Sequence, residues 1–443
     1  MRTAASVLAL LLCLFATLAP APAQDAVDLG VIKPRALYTK SSIMVAPFNV
    51  EDNVGVNIET LPRVIRRDLE LTGLFKFPAD TVEANRQNLR DGRGGTVDFA
   101  AWEAMGVEQY LMGRVAREGG NMRVRVLLYD IATRSLIFER FFTDTAAEER
   151  RLAHRISDEV VLYVKGMQGF AQTKMLFVNE QVRGVKEIAI VDSDGFNPRA
   201  LTRFGSICSS PEWGARGTEF YYGSYAGNRA RLMGQQLTSG SQWVIAAYGG
   251  TNHSPAWSEA AGRLLMVLSK DGNSEIYTAN REGGGLRRLS TSKATEGSAV
   301  WSPDGSRIAF ASDEAGGVQI FLMGADGSGR QRLTPKGSWN DAPSWSPDGK
   351  RIAFVSRSGG RSDIYVYDFE AAEPQRFRRL TQNQGDNASP SWAPGGRHIA
   401  FASNRSGQWQ VYLMLDDGTN QQQITTIGQN RQPDWGPAPP PLE

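Results

Sequence analysis

The chain has 443 residues, with 49 Lys plus Arg against 47 Asp plus Glu and a formal net charge of +2. That even balance argues against nucleic-acid or anionic-membrane binding, which needs a dense basic face, and 41% apolar residues argue against disorder. The length calls for two or three domains, and 46 Gly with 10 Trp describe a turn-rich, exported β protein.

The first residues read as a signal. Arg2 supplies the positive start, Val7 to Leu18 is a short apolar run, and Ala21-Pro22-Ala23 offers small residues for cleavage. The run is too short to span a bilayer. Residues 1–23 are therefore expected to be removed near Ala23–Gln24, leaving an exported protein with no direct membrane insertion. Cys13 lies inside the apolar run and makes a poor lipid acceptor, so Cys208 remains as a single buried thiol. With no CxxC and no His/Cys cluster, neither metal nor cofactor is expected. Residues 24–38 are expected to be a flexible segment. Within it Val27, Leu29 and Val31 alternate with polar positions such as Asp25, and Ile32 follows, a pattern that suits a strand added to a sheet edge.

Residues 39–168 mix helix and strand. Ser42 to Phe48 reads as a buried strand stopped by Pro47. Ile58 to Leu74 places Leu61, Val64, Ile65 and Leu69 at helical spacing, with Gly73 as a stop. Trp102, Met105 and Val107 suggest a second, shorter helix. Gln109 to Ala116 and Arg123 to Tyr129 alternate around Gly119-Gly120-Asn121, a hairpin signal, and Ser135 to Phe142 adds a third strand. Arg151 to Lys165 returns to helix with Ile156, Val160 and Tyr163 on one face. The expectation is a small α/β domain.

From residue 172 to 436 the pattern repeats. Trp213, Trp257, Trp301, Trp345, Trp392 and Trp435 recur at intervals of 44, 44, 44, 47 and 43 residues. The clearest unit runs Trp301-Ser-Pro-Asp-Gly, then Arg307-Ile-Ala-Phe-Ala-Ser, then Gln319-Ile-Phe-Leu-Met. Pro303 presets a turn, Asp304 bonds its own backbone and Gly305 takes the positive φ. A single such sheet cannot cover its own faces, so units must stack, and a period in the forties with about four short strands marks a β-propeller blade. Met175 starts a blade that lacks its Trp strand, and Trp435 ends the repeats without a following strand set. Six blades, with the Trp435 strand completing the one at Met175, follow from that complementarity. Residues 437–443 form a Pro-rich tail. The fold class expected is an α/β N-terminal domain plus an all-β six-bladed β-propeller.

No catalytic constellation stands out. Related propellers precede serine peptidase domains, but no Gly-x-Ser-x-Gly elbow occurs here and no hydrolase domain is expected after Trp435. His154 and His398 read as packed or solvated, and Asp304 and Asp348 are turn residues. Arg287-Arg288 and Arg378-Arg379 read as solvated edge charges. The loops before each Trp are more informative: Thr251-Asn-His-Ser-Pro, Glu296-Gly-Ser-Ala, Asn340-Asp-Ala-Pro, Asp386-Asn-Ala-Ser-Pro and Asn430-Arg-Gln-Pro. By symmetry they emerge on one face around the channel, and a ring of varied polar groups there reads as a docking surface. Thr251, His253, Glu296, Asn340, Asp341, Asn387 and Arg431 are the candidate mouth residues.

This ordered combination resembles a known family. The signal, Val45-Ala-Pro-Phe, Arg66-Arg-Asp-Leu-Glu-Leu-Thr-Gly-Leu-Phe, Ile156-Ser-Asp-Glu-Val-Val and the Trp-Ser-Pro-Asp-Gly-like blades are similar to TolB, the periplasmic propeller family of the Gram-negative Tol-Pal system. Trp213-Gly-Ala-Arg-Gly, Trp257-Ser-Glu-Ala-Ala-Gly and Ala393-Pro-Gly-Gly depart from the turn pattern without touching the strands. The resemblance implies a non-enzymatic adaptor that binds the lipoprotein Pal at the propeller's channel face. It also implies binding of TolA through the mature N-terminus, at Asp25, Val27, Leu29, Val31 and Ile32, in support of outer-membrane integrity and constriction at division. Other readings of the same propeller are a channel hydrolase or lyase and a sugar- or peptide-binding module.

Overall fold

The computed structural model describes residues 39–50, 59–94, 96–335 and 337–438. The expected signal, the segment 24–38 with its candidate TolA-binding residues and the end of the Pro-rich tail lie outside them.

The N-terminal domain is a six-stranded mixed sheet between two helix layers. Its elements are β1 (Ser41–Val45), β2 (Asn49–Val50), α1 (Thr60–Leu71), β3 (Phe75–Lys76), α2 (Val82–Gly94), α3 (Phe99–Ala104), β4 (Gln109–Glu118), β5 (Asn121–Asp130), β6 (Ser135–Asp144) and α4 (Glu149–Lys165). The strand order is β3-β1-β4-β5-β6, with β2 beside β4. Alternation sets the two faces. Ile43 and Val45 join Ile65, Leu69, Ile156 and Val160 of α1 and α4, whereas Met44 and Ala46 join Ala84 and Trp102 of α2 and α3.

The first strand ends at Val45, before Pro47 rather than through Phe48. Helix α3 stops at Ala104, so Met105 caps it and Val107 lies beyond; Asp98 opens it by accepting the Ala101 N–H at 3.1 Å. Helix α2 has little apolar periodicity and is held by polar contacts. Asp91 accepts from Gln87 Nε2 at 2.8 Å, from Trp102 Nε1 at 2.8 Å and from the Asp98 N–H at 2.9 Å.

Beyond α4 stand six four-stranded antiparallel sheets. Blade 1 takes its first strand, Gln429–Trp435, from the far end of the chain and pairs it with Lys174–Val182, then Val185–Asp192 and Arg199–Ala200. Trp435 sits opposite Met175 and Asp434 opposite Leu176. The first strands of blades 2 to 6 are Cys208–Trp213, Asn252–Ser258, Glu296–Trp301, Trp339–Trp345 and Asn387–Trp392. These six first strands line the axis of the ring. The closing strand is well fixed: Trp435 is buried, its Nε1 donates to Thr173 Oγ1 at 2.8 Å, and its ring meets Phe170 edge-on at 5.3 Å. A buried indole of roughly 200 Å² contributes about 5 kcal/mol at ~25 cal/mol per Å².

The turns after each Trp behave as their residues dictate. Gly305 takes φ +70°. Asp304 accepts from Ser302 Oγ at 2.5 Å and from the Ser306 N–H at 3.1 Å, and these bonds hold its carboxyl down at about 2. Arg288 and Arg379, expected to be solvated, reach inward to Glu275 and Asp363.

Both domains meet at the C-terminal end of α1. A helix leaves its last carbonyls unsatisfied, and blade 6 supplies the donors. Gln422 Nε2 donates to Glu70 O at 3.0 Å, Asn420 Nδ2 to Leu71 O at 3.1 Å, and His398 Nε2 to Thr72 O at 2.9 Å. Burial pushes His398 down to about 4, so the ring is neutral, and its Nε2–H points at the carbonyl. These contacts use the end of the ring that carries the Trp-Ser-Pro-Asp-Gly turns.

Candidate functional site

The central channel has a volume of about 420 Å³ and is walled by the inner strands of all six blades. Each inner strand breaks its ladder once. The register shifts fall at Ser209/Glu212, His253/Ala256, Gly297/Val300, Asp341/Ser344, Ala388/Ser391 and Arg431/Asp434. Each shift contains a residue with positive φ: Ser210, Ser254, Ser298, Ala342, Ser389 and Gln432, all between 46° and 52°. Pro follows in five of the six strands, and Ala299 in the other. Proline cannot donate to a ladder, so an inner strand can hold it only at a bulge. A non-glycine residue in this region costs about 1–2 kcal/mol, and the fold sustains six of them around one axis.

The bulge and the strand alternation sort the candidate residues into two levels. Asn252, Glu296, Asn340, Asn387 and Asn430 occupy equivalent positions and are all buried. Glu296 is 1% exposed, accepts from Ser292 Oγ at 2.7 Å and pairs with Arg330 at 2.8 Å. Asn340 Nδ2 donates to Gln319 Oε1 at 2.8 Å. Asn387 Nδ2 donates to Asp363 Oδ1 at 3.2 Å, and its Oδ1 accepts from Arg405 at 2.9 Å. Glu296, Asn340 and Asn387 therefore do not present side chains at the mouth: Glu296 is held by Arg330 of its own blade, and Asn340 and Asn387 tie their inner strands to the third strand of the preceding blade. The next residue in each strand takes the other face, and there stand His253 and Asp341, half-buried, and Arg431, exposed.

These three differ in chemistry. His253 Nδ1 lies 2.9 Å from Ser254 Oγ, and burial against the channel wall pushes the ring down to about 4. Asp341 accepts the Ala342 N–H at 2.6 Å, and burial raises its carboxyl above the usual range. Arg431 is exposed and stacks its guanidinium on Trp409 at 4.3 Å. Thr251 is half-buried and donates twice to Ser269 Oγ, through its N–H at 2.8 Å and its hydroxyl at 3.0 Å.

Deeper in the channel two carboxyls were not anticipated. Glu212 and Asp434 each stand between the Pro and the Trp of an inner strand, where the other blades carry Ala256, Val300, Ser344 and Ser391. A charge in that slot was the signal available in the sequence. Burial raises both, Asp434 to about 7 and Glu212 well above its ordinary value, where the neighbouring Asp434 charge adds to the effect. Both are spent on the ring. Glu212 accepts the Trp257 N–H of the next blade at 3.0 Å, Asp434 accepts the Trp213 N–H at 2.7 Å, and Ser391 Oγ accepts the Trp435 N–H at 2.9 Å. Three inter-blade staples thus surround the closing seam.

A Ser/His/Asp group does exist, at the domain contact. His154 Nδ1 lies 2.8 Å from Asp68 Oδ2, and Ser157 Oγ donates to the same oxygen at 2.7 Å. The serine addresses the carboxylate rather than the imidazole, which is the wrong order for activating a nucleophile. Together with Asp194 of blade 1, these residues join α1, α4 and the propeller.

The channel mouth is the end where inner strands begin. The hairpins between second and third strands open there, as do the loops leading to the next blade. It carries exposed apolar side chains: Val182 and Ile427 at 65% each, with Phe204, Ile207 and Tyr248 beside them. The N-terminal domain sits at the opposite end, so it leaves this face uncovered.

Comparison with known proteins agrees with this architecture. The family model for the TolB amino-terminal domain matches residues 35–137, and that for the TolB beta propeller domain matches 163–358 and 338–439. The chain is 27% identical over 247 residues to the Tol-Pal system protein TolB of Gluconobacter oxydans, covering 55% of this chain and 52% of that one. It is 31% identical over 289 residues to a protein TolB homolog of Chlorobium chlorochromatii, covering 65% and 64%. The matched region thus spans only about half to two-thirds of those relatives. The crystal structure of TolB from Acinetobacter baumannii superposes with a TM-score of 0.78 at 24% identity, covering 90% of this chain and 97% of that one, which shows a shared fold. With the propeller model matched across most of the ring and the amino-terminal model ahead of it, the chain belongs to the TolB family.

Proposed function

We propose that this protein is a non-enzymatic adaptor of the Tol-Pal system. It docks Pal at the channel mouth and TolA through residues 24–38, in the periplasm, and supports outer-membrane integrity and constriction at division. The observation that supports this most is the mouth itself, where a strained six-fold ring holds His253, Asp341 and Arg431 on an uncovered face rimmed by apolar side chains. Backbone strain of this kind persists where the surroundings over-determine it, and it concentrates at binding sites. The carboxyls and hydroxyls in the channel serve the ring, which favours docking over turnover. The family membership and the relatives' names point to the same system.

Calorimetry with purified Pal tests the reading. The triple variant His253→Ala, Asp341→Ala and Arg431→Ala should weaken binding by roughly 1–3 kcal/mol per energetically central residue, with an unchanged melting temperature. An unchanged affinity would move the site off the mouth. Deleting residues 24–38 should abolish TolA binding and leave Pal binding intact; equal TolA affinity with and without the segment would exclude it as the tether.

A further inference from the structure

We propose that the rim of the channel mouth is a cationic collar that selects and steers an acidic protein surface. The inference rests on the reading of the mouth as a docking face and adds the chemistry of what docks there. A net charge of +2 over the chain conceals the asymmetry. Arg183, Arg229, Arg357 and Arg361 lie in the hairpins between second and third strands of blades 1, 2 and 5, and Arg203 and Lys293 lie in the loops leading into blades 2 and 4. All six are exposed, and among the described residues no ion pair or side-chain hydrogen bond engages them.

The carboxylates of the same rim are bonded to loop N–H groups or paired with neighbouring cations. Glu180 accepts the Gly184 N–H at 2.7 Å and Glu187 the Gly205 N–H at 2.8 Å. Asp313 accepts the Thr295 N–H at 2.8 Å and Asp386 the Ser362 N–H at 3.0 Å. Asp271 pairs with Lys270 and Glu314 with Arg330. An amide N–H does not cancel a carboxylate's charge, so the bias is one of number: the six exposed cations outnumber the four carboxylates that meet neutral donors. Cations of this sort around a concave, partly apolar mouth raise the local concentration of anionic ligands and accelerate their encounter. The exposed apolar residues of the same rim, Val182, Ile207 and Ile427 among them, suit contact with protein side chains, so the occupant is an acidic protein segment.

The test uses the full mature protein and a charge-reversed form, Arg183→Glu with Arg203→Glu and Arg229→Glu. Among the described residues none of these side chains makes an ion pair or a hydrogen bond, so the variant should melt with the parent. Stopped-flow association with Pal of the same organism should slow by about tenfold as salt rises from roughly 0.05 to 0.3 M, and by a similar factor in the variant, with the dissociation rate nearly unchanged. The matching Arg→Lys triple variant should keep the parental rate. Pal association insensitive to both salt and reversal would overturn the collar while leaving the docking reading in place. Conversely, a labelled Asp/Glu dodecapeptide captured by the parent and lost by the variant, with no Pal binding at all, would uphold the collar and end the Pal reading. Binding of phosphatidylglycerol vesicles, with neither Pal nor peptide bound, would overturn the collar's protein specificity.

Discussion

Asp434 holds a carboxyl group between three inner strands, accepting from Trp213 of blade 2 and touching Ser391 of blade 6. Burial pushes it up to about 7, against an ordinary value of 3.8. A carboxyl raised on folding binds its proton more tightly in the native state, so its stabilising share is complete below the unfolded pKa and is lost as pH climbs through the folded one. The window therefore runs from about pH 4 to pH 7. His398 and His253, both depressed to about 4, work the other way across the same interval, so the difference between wild type and Asp434→Asn is the quantity to follow. Asparagine can still accept the Trp213 N–H. Urea midpoints should show the variant gaining on wild type as pH rises, by on the order of 1–4 kcal/mol between pH 4 and 8. A constant difference would mean that Asp434 ionises normally. The same scale marks how far the sequence was legible. The repeated loops located the ring, but the side that each residue faces depends on a one-residue bulge whose only cue is the Pro two residues before the Trp in five of the six strands. Glu296, Asn340 and Asn387 look like mouth residues in a string of letters and are blade pins in three dimensions.

At the level of elements, Trp spacing and an unpaired strand at Met175 were enough to place the closing strand, because a 44-residue recurrence leaves few ways to distribute four strands. Helix α2 was not legible, since its stability comes from Asp91 and its partners rather than from an apolar stripe. The closing strand carries a direct prediction. Trp435→Ala removes a buried ring, its bond to Thr173 and its contact with Phe170, and should cost about 3–5 kcal/mol. Truncation after Pro433 should cost several kcal/mol, because it takes Asp434 away too and opens the seam. Equal melting temperatures for wild type and truncation would disprove the closure's role. The bulges carry a second prediction. Ala342→Gly relieves a side chain at φ +52°, and should stabilise by about 0.5–1 kcal/mol after the extra chain entropy of glycine is allowed for. A loss of stability there would show that the Ala342 methyl group packs usefully in the channel wall.

For the whole molecule, the informative junction is the end of α1 seated on blade 6. Asn420 and Gln422 cap its carbonyls, and among the described residues no strand pairs across the two domains. Asn420→Ala with Gln422→Ala leaves the buried Leu71 carbonyl without its donor, at a cost of roughly 1–3 kcal/mol, and leaves Glu70 O with the Gly73 N–H alone. Calorimetry of the double variant should show the single parental transition splitting in two, with faster proteolysis around residues 166–172; an unsplit transition would place the coupling at Asp68, His154 and Asp194 instead. The closed ring has a further consequence, in time rather than in space. Residues 174–180 meet their partners at 429–435, a separation of nearly the whole propeller. A ribosome adding about 5–20 residues per second needs roughly 12–50 s to cover that distance. For all of that interval the Met175 strand exists with no neighbour on its axial side, and its burial must wait for the last residues made.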